Sequence, residues 1–248
     1  METASTTLYF INREELTSVL RYIRPRNMNM YYNVFMHKSI LKHARKEFPE
    51  AVSNERLEFL GDSVLNMIIG EYLYERYPDK NEGFLTKLRI KLVNGKTLAY
   101  LARKLRLDRY VNLANNTKIN NKILEDALEA LIGAIYLDYR EINMGLNYVR
   151  QFLVSLFQDE INFEQLMFDN NFKDILLRYM QQRHLETPIY EVVNVSGKSH
   201  NPIFSMSVTV VIDNNTYTAQ CSSMTKRDTE QLCAHDILNQ IGFNEYLI

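Results

Sequence analysis

The chain has 248 residues, of which 46% are hydrophobic and 24% charged, with 5 Pro, 8 Gly and a formal net charge of −1. That composition excludes disordered and fibrous chains, and the length allows one large domain or a medium one followed by a small one. No apolar run approaches the roughly 18 residues of a membrane span, and the N-terminus METASTTLYF lacks a basic region followed by an apolar one. A cytoplasmic protein without signal peptide or membrane segment is therefore expected. Arg21, Arg24 and Arg26 form a short basic cluster, but Glu14 and Glu15 precede it and argue against a transit peptide. Cys221 and Cys233 have neither metal-ligand spacing nor neighbouring histidines, so ordinary thiols of a reducing compartment are expected and a zinc site is not.

Residues 13–160 carry apolar side chains at three- and four-residue spacing and read as almost entirely helical. Breaks are expected at Arg24-Pro25, at Phe48-Pro49, from Tyr77-Pro78 to Gly83, and between Asn112 and Asn121, where Pro, Gly or Asn disfavour continuation. After Asp159 the pattern changes. A helix over 172–182 precedes alternating segments at 187–195, 202–212 and 214–220, which read as half-buried strands. Asp213-Asn214-Asn215 suits a tight turn between the last two strands, and a helix over 226–241 closes the chain. The division expected is 1–160, a short connector at 161–170, and 171–245. Charge is uneven along this plan. Residues 1–164 hold 23 cations and 21 acids and residues 165–248 hold 6 and 9, while 84–122 alone holds ten cations and one acid, Asp108. That stretch is a candidate polyanion-facing surface.

Two acidic motifs carry chemistry. In NERLEFLGDSVL, residues 54–65, Glu58 and Asp62 stand one helical turn apart and share a face that Leu65 and Ile69 continue as an apolar stripe. In LEDALEALIGAIYLD, residues 124–138, Asp126 and Glu129 share a face of a helix that is apolar almost all round and so belongs in a core. Neither acid has a Lys or Arg three or four residues further along to pair with it. Glu125 lies on a different face. Gly133, one turn on, leaves room for another backbone to approach. If the two helices pack together, four carboxylates converge, and only a hard divalent cation keeps them ionised there. Oxygen ligands without His or Cys favour Mg²⁺, with Mn²⁺ as a substitute.

NERLEFLGDSVL resembles the signature of ribonuclease III. The resemblance continues through MHKS at 36–39, through residues 82–103 and through LEDALEALIGAIYLD, covering about residues 30–140 in order. It implies a mainly α, all-helical endonuclease domain in which Glu58, Asp62, Asp126 and Glu129 bind metal, with Asp62 and Glu129 the most directly catalytic. Glu82 matches an accessory acid near the cleft. Phe59 matches an aromatic that seats in a partner subunit, which implies a homodimer, since one site cuts one strand. The C-terminal part is similar to a double-stranded RNA-binding domain of α-β-β-β-α order. By that likeness His200 enters a minor groove and Lys226 and Arg227 meet phosphates at a helix N-terminus. This chain departs from such domains at Ser222-Ser223-Met224, at Thr229 in place of Ala, and at Leu177 and Arg178 on the first helix.

The function implied is metal-dependent hydrolysis of double-stranded RNA, leaving 5′-phosphate and 3′-hydroxyl ends, with no small-molecule cofactor. The competing expectation is a non-cleaving binder of double-stranded RNA on the same fold, which would have no reason to keep the four acids.

Overall fold

In a computed structural model, which describes residues 8–168, 170–198 and 201–243, many helices begin where the sequence places an asparagine. Asn12, Asn81, Asn94 and Asn120 each accept main-chain N–H groups at a helix start, which satisfies donors that have no partner within the helix. The helices are α1 (Arg13–Val19), α2 (Met28–Val34), α3 (Leu41–Glu47), α4 (Glu55–Arg76), α5 (Glu82–Val93), α6 (Gly95–Lys104), α7 (Asn121–Arg140), α8 (Gly145–Glu160) and α9 (Phe163–Met167). The expected breaks at Pro, Gly and Asn are present, and others join them: α2 is separated from α3 around Met36, and α7 from α8 at 141–144. Asn94 separates α5 from α6, and the stretch expected to be a plain connector contains α9.

α7 runs through the middle of this unit with Ala127, Leu128, Leu131, Ile132 and Ile135 fully buried. α4 lies along it at unusually short range. A Cβ placed on Gly61 would sit 1.7 Å from the carbonyl oxygen of Glu129, and one on Gly133 would sit 2.3 Å from that of Leu57. The two backbones therefore touch, and only glycine fits at either position. Further along α7, buried Asp138 accepts hydrogen bonds from the N–H groups of Arg26 and Asn27 and from the Tyr31 hydroxyl, tying the segment before α2 to the central helix.

The chain packs as two units that divide between Leu166 and Met167. The second consists of α10 (Phe172–Gln182), β1 (Ile189–Lys198), β2 (Asn201–Ile212), β3 (Asn215–Ser223) and α11 (Lys226–Gln240). Its antiparallel sheet has the order β1-β2-β3. Asp213 and Asn214 both take positive φ, 50° and 65°, and form the two-residue turn between β2 and β3, with Ile212 and Asn215 as register partners. Met206, Val208 and Val210 alternate inward from β2 and meet Leu176 of α10 and Cys233 and Ile237 of α11. Both cysteines are free thiols, Cys233 buried and Cys221 half-buried. Among the described residues, no helix is long and apolar enough to cross a membrane.

Gly61→Ala should lower the stability of the first unit by about 3 kcal/mol or more, because a helix backbone rather than a side chain must move. Gly70→Ala is the control. On the same helix its Cβ would meet only a guanidinium nitrogen of Arg89 at 3.8 Å, so thermal unfolding should show no loss, or a gain of up to about 1 kcal/mol.

Candidate metal centre

The crossing of α4 and α7 sets the position of the acids. Glu58 lies in the first turn of α4, and Asp126 and Glu129 lie one turn apart on α7. One carboxylate oxygen from each comes within 4.8 Å of the others. Glu129 is buried, while Glu58 and Asp126 are half-buried. Burial, together with the charges of Asp62, Glu125 and Glu58, pushes the Glu129 carboxyl up to about 8 even though Lys122 opposes the shift. Burial and the neighbouring Asp126 also raise Glu58. Like charges in a desolvated site favour the protonated forms unless a cation compensates them.

The structure corrects the expectation that the α7 acids lack a partner. Lys122, four residues before Asp126, brings its Nζ to 2.8 Å from Asp126 Oδ1, 3.6 Å from Glu125 Oε1 and 3.8 Å from Glu58 Oε1. Asp126 first, then Glu125 and Glu129, raise the ammonium above its ordinary value against the opposing effect of burial. Asp126 Oδ1, itself buried, makes the closest of the three contacts. A cleft of about 450 Å³ opens beside this cluster, lined by His37, Lys38, Asn54, Glu58, Lys122 and Asp126. Burial and the adjacent Lys38 hold the His37 imidazole below its usual value. His37, Lys38 and Lys122 had not been singled out from the sequence as site residues, though MHKS and the 84–122 cation stretch contained them.

The other expected residues are placed differently. Asp62 does not join the three-carboxylate group. It is exposed, and its Oδ1 accepts a hydrogen bond from Asn66 Nδ2 at 2.9 Å. Glu82 opens α5 and accepts the Thr86 hydroxyl at 2.8 Å, also outside the group. Phe59 is 79% exposed. It borders a cleft of about 690 Å³ whose walls include Met30, Val52, Leu57, Leu60 and Leu137. In the second unit Lys226 and Arg227 occupy the exposed first turn of α11, which Thr225 caps, and Lys226 Nζ stands 5.8 Å from the Phe204 ring centroid. His200 lies outside the described residues.

Comparison with known proteins decides the family. The Ribonuclease III domain model matches residues 55–140, and the double-stranded RNA binding motif model matches residues 172–241. The chain is 36% identical over 222 residues to Ribonuclease 3 of Chlorobium luteolum, covering 87% of this chain and 77% of that one. Against Ribonuclease 3 of Campylobacter fetus it is 37% identical over 212 residues, covering 82% and 92%. A solved nuclease domain of ribonuclease III from Campylobacter jejuni, described as flexible in a region involved in dimer formation, shares 35% identity. It aligns with a TM-score of 0.52 over 60% of this chain and 99% of that one. The chain belongs to the ribonuclease III family. It is an endonuclease of double-stranded RNA, with the helical nuclease fold followed by an α-β-β-β-α unit. Ribonuclease III enzymes depend on divalent metal, and the donors here fit one: three carboxylates with no nitrogen or sulfur ligand among them.

The raised Glu129 carboxyl has a consequence for stability. A carboxyl lifted from its unfolded value to about 8 favours the fold below the unfolded value and loses that contribution as pH rises through 8. In chelator-treated protein, Glu129→Gln should therefore be the more stable form at pH 8 to 9, by about 2–4 kcal/mol. Near pH 5 the difference should vanish. Thermal unfolding across this range checks the sign.

Proposed function

We propose that Glu58, Asp62, Asp126 and Glu129 together hold Mg²⁺, for which Mn²⁺ substitutes, and that the enzyme hydrolyses duplex RNA to 5′-phosphate and 3′-hydroxyl ends. The observation that carries this reading is the convergence of Glu58, Asp126 and Glu129 from two helices, with Glu129 buried among like charges. A protein that only bound duplexes would have no use for that arrangement. When bound, the cation would lower the pKa of a water and stabilise the leaving 3′-oxygen. The protein's own part is to fix the oxygens. α7 holds Asp126 and Glu129 rigidly because its backbone is locked against α4, Lys122 offsets part of the acidic charge, and Asp62 approaches from the exposed side of α4. Glu82 serves as an accessory acid.

The division of labour follows the two units, with residues 1–160 as the nuclease and 171–245 as the reader of A-form shape. Duplex contacts of the second unit are assigned to His200, Lys226 and Arg227. Exposed cations at the first turn of α11 add to the attraction of a helix N-terminus for phosphate. One site cuts one strand, so a homodimer would supply both cuts. Phe59 supports that reading, because a large exposed aromatic beside an apolar-walled cleft suits reciprocal insertion between two copies.

Purified protein incubated with long duplex RNA, with and without Mg²⁺, tests the reading directly. Mg²⁺-dependent cleavage is expected, and duplex binding without it would overturn the proposal. Glu129→Ala should reduce cleavage by at least about 10³-fold while gel-shift affinity and oligomeric state persist. Phe59→Ala should shift the sedimentation profile toward monomer and reduce cutting of both strands at one place.

A further inference from the structure

Asp62 differs from the other three acids in having no packed surroundings to orient it. Glu129 is buried, and Glu58 and Asp126 are half-buried and ion-paired to Lys122. Asp62 is exposed and lies outside their group, although its charge is felt at Glu129. An exposed aspartate samples several side-chain rotamers, and fixing one to meet a cation costs entropy. One side chain limits that freedom. Asn66, a further turn along α4, places Nδ2 2.9 Å from Asp62 Oδ1 and 2.9 Å from the main-chain oxygen of Asp62. Both partners can only accept, so the amide must turn its NH₂ toward them, and its two hydrogens serve one acceptor each. The arrangement holds one carboxylate oxygen and leaves Oδ2 available to a ligand. Asparagine in a helix interior costs about half a kcal/mol against Leu or Ala, so its presence in mid-α4 is not explained by helix formation.

We propose that Asn66 is a positioning residue that fixes the Asp62 carboxylate in the orientation from which it meets the divalent cation. The inference rests on the assignment of Asp62 to the metal set. Hydrogen-bonded partners orient ligating carboxylates, and their loss costs metal affinity. The effect belongs in the metal requirement, not in the rate once metal is saturating.

The test compares full-length wild type, Asn66→Leu, Asp62→Asn and the double variant. Two readouts are taken: the rise in unfolding temperature that Mg²⁺ produces over a chelated reference, and the Mg²⁺ concentration giving half-maximal cleavage of duplex RNA. Asn66→Leu should require about tenfold more Mg²⁺, with a smaller Mg²⁺-induced stabilisation, an unchanged chelated unfolding temperature, and the saturated rate retained. The double variant should be no worse than Asp62→Asn. If Asp62→Asn weakens the Mg²⁺ response and Asn66→Leu does not, the role of Asn66 is overturned while the metal set stands. If Asp62→Asn leaves the Mg²⁺ response intact, both fail together. A lowered chelated unfolding temperature in Asn66→Leu with unchanged Mg²⁺ dependence would make Asn66 merely structural and overturn the proposal.

Discussion

The contact of α4 with α7 at Gly61 and Gly133 is the constraint from which the site follows. Helices that meet through ordinary side chains keep their axes about 8–10 Å apart. Here the carbonyl oxygens of Glu129 and Leu57 occupy the space where a Cβ would project from the facing helix. That approach lets carboxylates from two separate helices bring oxygens within 4.8 Å of one another. It also buries Glu129, because the facing helix leaves no room for water around its stem. The same glycines thus create the geometry a cation needs and the electrostatic cost that a cation relieves.

The cost is divided among several groups. Lys122 reaches Asp126, Glu125 and Glu58 from the first turn of the same helix and supplies one positive charge. A single ammonium does not neutralise the cluster, and burial, with the remaining negative charge, raises the Glu129 carboxyl to about 8. Protonation of Glu129 and binding of a divalent cation are alternative ways to relieve the remaining repulsion. The fold therefore tolerates the site in either condition, with a balance that depends on pH.

Much of this was legible in the sequence, and the exceptions have physical reasons. The three- and four-residue spacing of Glu58, Asp62, Asp126 and Glu129 placed each pair on one helix face, and Gly133 on an otherwise apolar helix signalled a close approach. Lys122 precedes the acids rather than following them, and a lysine one turn before an aspartate reaches it as well as one placed a turn after. Spacing also could not show that Asp62 turns away from the other three, since spacing fixes the direction of Cβ and not the rotamer beyond it. The break at Asn94 lacks Pro. There the asparagine caps α6 through the N–H groups of Lys96 and Thr97 while its amide donates to carbonyls of Ile90 and Lys91, so one side chain ends a helix and starts the next. The short α9 depends on tertiary contact. Phe163 packs on Tyr72 and lies under the guanidinium of Arg76, both on α4 and far away in sequence.

The second unit absorbs its departures from the usual pattern without strain but has little charge to spare. Thr229 is fully buried, and its hydroxyl donates to the carbonyl of Thr225 at 2.8 Å, with that of Phe204 farther off at 3.3 Å. Ser222 pairs with Ser205 across the sheet. The cations are less free. Lys173 is paired with Glu230, Arg178 with Asp174, and Arg183 more loosely with Asp213, so that, among the described residues, Lys198, Lys226 and Arg227 are the cations of this unit outside an ion pair. Each phosphate neutralised adds about 0.9 to the salt dependence of duplex binding, so if all three met phosphates the electrostatic grip would still be shallow. In the proposed homodimer, two such grips act on one duplex together with the nuclease surface, and linked weak contacts give an affinity that neither would reach alone. On that proposal duplex recognition would be a property of the pair, as the cutting of both strands would be.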